Sequence, residues 1–490
     1  MKKISAFLLL LIFALPCVFF VGCEKEPSLN SYNIVLTYDH ETKTAECSSV
    51  VEYVNNSENS LKEVKFHLYA NAFSEEADGA VCSTANEAKT YPNGKSYGSI
   101  EVSAVYVNGA VTEFEYDGKA DMLLKVPLSE ELFPDEKVKI EIDFTLTLPN
   151  ALHRFGYGDN AVNFANFYPI ACVYENGVGF KTDGYVSNGD PFYSDVANYN
   201  LTVSYAKTLK IACGGDKIKT SDNGKFLTTT FVSEKVRDVS FVLSEKFEHL
   251  SAKAGNSTVD YFYYSDENPQ ASLDIAVKAV NFYSDKFGDY PYSNLAVVET
   301  GFVHGGMEYP RLVMISDDVK GEDYGYVIAH EIAHQWWYAV VGNDEFSSSW
   351  LDESLTEYST ALFYENHPEY GIEYSGLIEG ADQTYKHFLK VYGKIIGEVD
   401  TSMCRTLSEF NTEPEYVNNI YTRGILMFDA LRSDIGEKKL YSCLKGYFKE
   451  FAYKNVTPDE FINFFSSKSG RNLEKFFDSW LNGKIVMIYD

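Results

Sequence analysis

His330-Glu331-Ile332-Ala333-His334, followed after eighteen residues by Glu353 in the run Trp350-Leu351-Asp352-Glu353-Ser354, decides how this chain is read. Two imidazoles four positions apart share one helix face, about one turn from each other, and can hold one metal ion together. Glu331 follows the first His, where its carboxylate reaches a metal-bound water without taking a coordination site. Glu353 supplies a third ligand from a second helix. His330, His334 and Glu353 leave a fourth position open, the arrangement of a catalytic site for one Zn2+ per chain. The plain alternative is a helix with two His on a polar face. The apolar neighbours Val327, Ile328, Ala329, Ile332, Ala333, Trp336, Trp337, Val340 and Val341 oppose it, because buried imidazole and carboxylate are costly unless paired or metal-bound. That run predicts a helix stopping at Gly342, with the second helix starting near Ser349. Asp352 and Glu357 are candidates to orient a ligating His through its other ring nitrogen, with surface solvation as the alternative for both.

HEIAHQWW, the eighteen-residue gap and WLDESLTEY resemble the zinc site of the gluzincin aminopeptidases, the family of aminopeptidase N. Upstream, Gly305-Gly306-Met307-Glu308-Tyr309 resembles that family's GAMEN signature, with Gly306 in place of Ala and Tyr309 in place of Asn. Downstream, Tyr421-Thr422-Arg423-Gly424 resembles the segment carrying its catalytic tyrosine, with Arg423 where Lys is common. The resemblance implies hydrolysis of N-terminal residues from peptides. Glu331 would be the general base and acid, and Tyr421 the donor to the oxyanion. Glu308 would bind the substrate's free α-ammonium, while Gly305, Gly306 and Met307 line its backbone. It also implies a second amine anchor from the N-terminal domain, between Asn163 and Pro169. Asn166 is the nearest polar candidate there, whereas Gly189-Asp190-Pro191 reads as a turn. His304 reads as structural or solvent-facing.

The net charge of −29 and the lack of a basic stripe exclude nucleic acid as a partner. A 45% apolar content over 490 residues supports two or three packed domains. Lys2 and Lys3, the apolar run Ala6 to Val21 and Gly22-Cys23 resemble a bacterial lipoprotein signal, cleaved before Cys23 with lipid on its thiol. Phe20 stands where such signals usually carry Leu, which leaves a signal-anchor or ordinary secretion as alternatives. Each reading places the folded part outside the cytoplasm, and the first attaches it to a membrane. The six other Cys beyond the leader are scattered, with no disulfide-framework spacing.

Residues 1–22 therefore read as a signal peptide and 23–30 as the lipid-attachment Cys and tether. Residues 31–250 read as a β domain and 251–490 as a peptidase domain. Short alternating runs such as Ile34-Val35-Leu36-Thr37-Tyr38 predict an antiparallel sandwich or saddle. Helical periodicity covers Pro269 to Phe287, ending at Gly288, and recurs around 378–392, 419–433, 437–451, 458–467 and 471–482. The layout is α+β multidomain, and its second part resembles a thermolysin-like, mainly helical catalytic domain. Ending at Asp490, the chain resembles a short form without the C-terminal helical domain of larger relatives. Two other readings stay open: a zinc endopeptidase of the same fold, and a catalytically silent peptide-binding lipoprotein.

Overall fold

The computed structural model describes residues 28–77 and 79–484; the expected signal segment and Cys23 lie outside them. Asn30–Asp39 buries Tyr32, Ile34, Leu36 and Tyr38 and turns the alternate residues outward, as a strand packed on one face must. It lies within an eight-stranded sheet. The order is Asp216–Asp222, Phe226–Val236, Ala197–Ala206, Asn30–Asp39, Thr44–Val54, Lys137–Thr147, Ser99–Val107 and Ala110–Thr112. Neighbours are antiparallel except Asn30–Asp39 with Ala197–Ala206, which pair in parallel from Asn30↔Ala197. The long chain between them gives room for the crossover that a parallel pair needs. Smaller sheets, among them Leu61–His67 with Leu123–Leu132, complete the β-rich N-terminal part.

A second, mixed sheet of five strands begins the C-terminal half, ordered Glu248–Ala254, Ser257–Tyr263, Asn294–Thr300, Leu312–Ser316 and Gly306–Met307. Ser257–Tyr263 and Asn294–Thr300 are parallel, and the helix Pro269–Phe287 makes the crossover between them. That helix opens on a proline and closes at Gly288, which has φ 139°. Helices Tyr374–Ile396, Arg423–Ile435, Glu437–Phe451, Pro458–Ser469 and Glu474–Leu481 follow, so the chain runs from a β-rich domain into a mainly helical one.

The helix bearing the HExxH motif departs from expectation. It spans Glu322–Ala333, with His334 as its C-cap, and does not continue to Gly342. Tyr338 has φ 140°, and Trp337 bridges back to Val341. The apolar run 336–341 is therefore a buried turn. Its peptide groups find partners outside the helix: Tyr338 N–H donates to Val341 C=O, and Tyr453 N–H to Val340 C=O. Arg237 of the N-terminal part locks this turn. Its guanidinium donates to Tyr338 C=O (2.8 Å), Ser194 C=O (2.8 Å), Lys454 C=O (2.6 Å) and the Asn455 side chain, and a Cβ on Gly342 would run into it. One buried cation thus ties both domains together directly behind the motif.

Candidate metal centre and active-site cleft

The Glu322–Ala333 helix delivers His330, Glu331 and His334 to the floor of a cleft of about 430 Å³ between the two domains. Glu353, the first residue of the helix Glu353–Asn366, meets them from the side. All four are buried, at 8%, 6%, 1% and 4% exposure. His330 Nε2 and His334 Nε2 are 3.2 Å apart, and Glu353 Oε2 lies 3.4 and 3.3 Å from them. A tetrahedral ion with bonds of about 2.0–2.1 Å needs ligand separations of about 3.3–3.4 Å, so the three atoms already form one face around a zinc-sized ion.

The outer nitrogens fix this arrangement. His334 Nδ1–H donates to Asp352 Oδ1 at 2.6 Å, with Trp337 C=O at 3.1 Å, and His330 Nδ1–H donates to Glu357 Oε2 at 3.0 Å. Protons held on both Nδ1 atoms leave both Nε2 lone pairs facing each other and a carboxylate oxygen that has no hydrogen-bond donor. Without a cation that geometry is repulsive; with one it is complete. The donor set of two imidazoles and one carboxylate suits zinc. Tyr326, missed in the sequence, extends the outer shell by donating to Glu357 Oε1 at 2.7 Å.

Glu331 Oε2 has no hydrogen-bond partner, and burial pushes this carboxyl up to about 7. Its other oxygen rests against Gly306, where any Cβ would collide with it. Gly306 is therefore fixed by Glu331 as much as by an incoming ligand. Gly305 differs: a Cβ there meets only Val327, at 3.6 Å. Met307 does not line the cleft. It pairs with Met314 in the sheet, and its sulfur accepts from Arg154 Nη1 at 3.3 Å. Its side chain therefore packs in the interior, and any part it takes in lining a substrate falls to its main chain. Glu308 does line the cleft, 3% exposed, with Oε1 unpartnered.

Tyr421 stacks on His330, ring centres 6.0 Å apart, from a one-turn π-helix, Asn418–Thr422. Such turns re-aim one side chain within a helix. Arg423 points away and donates to Trp480 C=O at 2.6 Å.

Sequence order misplaced the contribution of the N-terminal domain. Asn166 lies off the cleft, donating to Asp238 Oδ2 (2.7 Å) and accepting from Tyr309 Oη (2.6 Å). It therefore clamps the GGMEY segment to the N-terminal domain. The acid that reaches the cleft is Asp190, held by Arg154 at 2.6 Å, with an oxygen within 4.8 Å of oxygens of Glu308 and Glu353. His304 also lines the cleft, edge-on to His153 at 5.2 Å, and burial together with the Arg154 charge holds it neutral, down to about 3. Cys47, Cys172, Cys213 and Cys443 are buried free thiols, and Cys404 is an exposed one.

Residues 271–480 match the model of the Peptidase family M1 domain. Aminopeptidase N of Lactococcus lactis subsp. lactis is 27% identical over 233 residues, covering 43% of this chain and 26% of that enzyme. Human aminopeptidase B is 30% identical over 217 residues, covering 40% of this chain and 32% of its own length. The chain thus matches about a third or less of these curated relatives. An M1 zinc metallopeptidase from Deinococcus radiodurans superposes with a TM-score of 0.66 at 18% identity, covering 94% of this chain and 95% of that one. A mutant of that protein was solved bound to a Tyr-Ser-Ala substrate (TM-score 0.65, 17% identity, 94% and 95% covered). Motif, domain match and two-domain architecture agree: residues 271–480 carry a Peptidase family M1 domain, and the chain is similar to aminopeptidase N-like M1 metallopeptidases.

Proposed function

We propose that this protein is a zinc aminopeptidase that removes residues from the free N-terminus of peptides. The observation that carries the reading is Glu308, a buried carboxylate with an unpartnered oxygen on the wall of the metal cleft. An uncompensated acid there is costly unless a cation arrives, and a peptide's α-ammonium is such a cation. Asp190 adds a second acid beside it, from the other domain. Together they hold the amine so that the first peptide bond lies over the floor of the cleft.

When bound by His330, His334 and Glu353, zinc supplies Lewis acidity and lowers the pKa of water at its open position. Glu331 takes the proton of the attacking water and delivers it to the leaving amine, a task suited to a carboxyl raised toward neutrality. Tyr421 Oη donates to the oxyanion that develops on the scissile carbonyl. Asp352 and Glu357 keep both imidazoles in the ligating tautomer.

The test compares one peptide in free and N-acetylated forms, with products read by mass spectrometry. Stepwise loss from the free form alone is expected. In Glu308→Ala, kcat/KM on the free form should fall about 100-fold, the worth of a desolvated charge pair. Equal internal cleavage of both forms would make the protein an endopeptidase instead. No cleavage of any peptide by a zinc-loaded sample would favour the silent binding protein.

The leader remains part of the proposal: lipid on Cys23 would hold the enzyme at the outer face of a bacterial membrane. The mass of the N-terminal peptide from a membrane fraction tests this. A diacylglyceryl-modified Cys23 is expected, and an unmodified N-terminus would overturn it.

A further inference from the structure

Glu345 belongs to none of the motifs, yet it is among the most costly residues in the molecule. It opens the short helix Glu345–Ser348, is 2% exposed, and neither of its carboxyl oxygens has a hydrogen-bond partner among the described residues. One of its oxygens lies within 4.8 Å of oxygens of both Glu308 and Asp352. Behind the cleft, then, three buried acids converge with no Lys or Arg paired to Glu345 among the described ion pairs.

Three carboxylates at that spacing, out of water, cannot all be ionised. Asp352 is committed as an acceptor, because His334 Nδ1–H donates to it at 2.6 Å. Glu308 faces the cleft, where it must be ionised to bind an ammonium group. The proton therefore belongs on Glu345, and burial together with the Asp352 and Glu308 charges raises its carboxyl far above the usual range. A protonated carboxyl is a donor as well as an acceptor. Glu308 Oε1 is one of the buried oxygens near it that still lack a donor, and it belongs to the same cluster of acids. The two unpartnered groups answer each other.

We propose that Glu345 is held as a neutral carboxylic acid whose hydroxyl donates, directly or through one water, to Glu308 and fixes that carboxylate for the incoming α-ammonium. Glu345 is then a positioning residue for the amine anchor. The donor also favours the ionised form of Glu308, so the anchor keeps its charge in a site that would otherwise neutralise it. This inference rests on the reading of Glu308 as amine anchor.

The test uses the zinc-loaded protein, first checked for discrimination between free and N-acetylated peptide. If the wild type does not discriminate, the reading of Glu308 fails. If it does, Glu345→Gln and Glu345→Met separate the inference from it. Gln keeps a donor of similar shape; Met keeps the volume and has none. KM on the free peptide is expected to rise about ten- to hundredfold in Glu345→Met, the worth of a hydrogen bond to a charged group, with kcat within about threefold. Glu345→Gln should restore KM to within about threefold of wild type, and Glu345→Met should add nothing further to Glu308→Ala. The wild-type minus Glu345→Gln infrared difference spectrum should show the carbonyl stretch of a protonated acid, a readout that does not depend on the Met variant folding. An unchanged KM in Glu345→Met, or equal damage in both variants, would overturn the proposal. So would a missing carboxylic-acid band, or a requirement of the wild type for added Ca2+ or Mg2+, which would make the cluster a cation site.

Discussion

Glu331→Gln is expected to lower kcat/KM by about 10³–10⁴ on a free-amine peptide while zinc content stays at one per chain. The substitution keeps size and hydrogen-bonding shape but removes the carboxylate proposed to carry a proton from water to the leaving amine. Zinc should stay, because His330, His334 and Glu353 form their face of ligands without Glu331. Stability should not fall and should rise slightly. Glu331 is buried with an unpartnered oxygen, and a neutral amide at that position avoids the cost of a desolvated charge. Steady-state kinetics, metal analysis and a thermal melt on the same sample decide it. Loss of zinc, or a fall in rate below about tenfold, would remove Glu331 from the proton-transfer role.

What the chain revealed in advance follows the range of the forces involved. The helix Pro269–Phe287 was readable to its ends because its signals are local: apolar spacing at three and four, a proline at the start, a glycine at the stop. The convergence of His330, His334 and Glu353 was readable for a similar reason, since i, i+4 spacing on a helix sets two of them side by side and a later helix brings the third. The run 336–341 was not. Hydrophobic content shows burial but does not separate a helix from a buried turn, and the Arg237 clamp that stabilises the turn comes from the other domain. Asp190, Arg154 and His304 belong to the cleft through tertiary packing alone. Asn166 looked closer to the site along the chain, yet a left-handed backbone (φ 50°) and Asp238 hold it on the far side of Tyr309. Glu345 carried no signal at all: one acid in a polar stretch acquires its meaning only from the two acids folded against it.

Removal of the third ligand gives the other large effect. Spreading the about 10–16 kcal/mol of a four-ligand structural zinc site over its ligands assigns about 2.5–4 kcal/mol to each, so Glu353→Ala should weaken zinc about 10²–10³-fold in a chelator competition. Peptidase activity should vanish at ordinary zinc concentrations and return only in part when zinc is raised. Asp352→Ala removes an acceptor from His334 Nδ1–H and leaves the three ligands in place, so its loss should be smaller, about 10–100-fold. The melting temperature carries a second, independent signature. In the wild type, stripping the metal leaves two Nε2 lone pairs and a carboxylate oxygen facing one another at 3.2–3.4 Å, so chelation should lower the melting temperature by the binding energy lost. In Glu353→Ala one of those three atoms is already gone and little zinc is bound to begin with, so the drop on chelation should shrink toward zero. An equal drop in both proteins would mean that the stabilising ion sits elsewhere, and an unchanged zinc affinity would take Glu353 out of the ligand set.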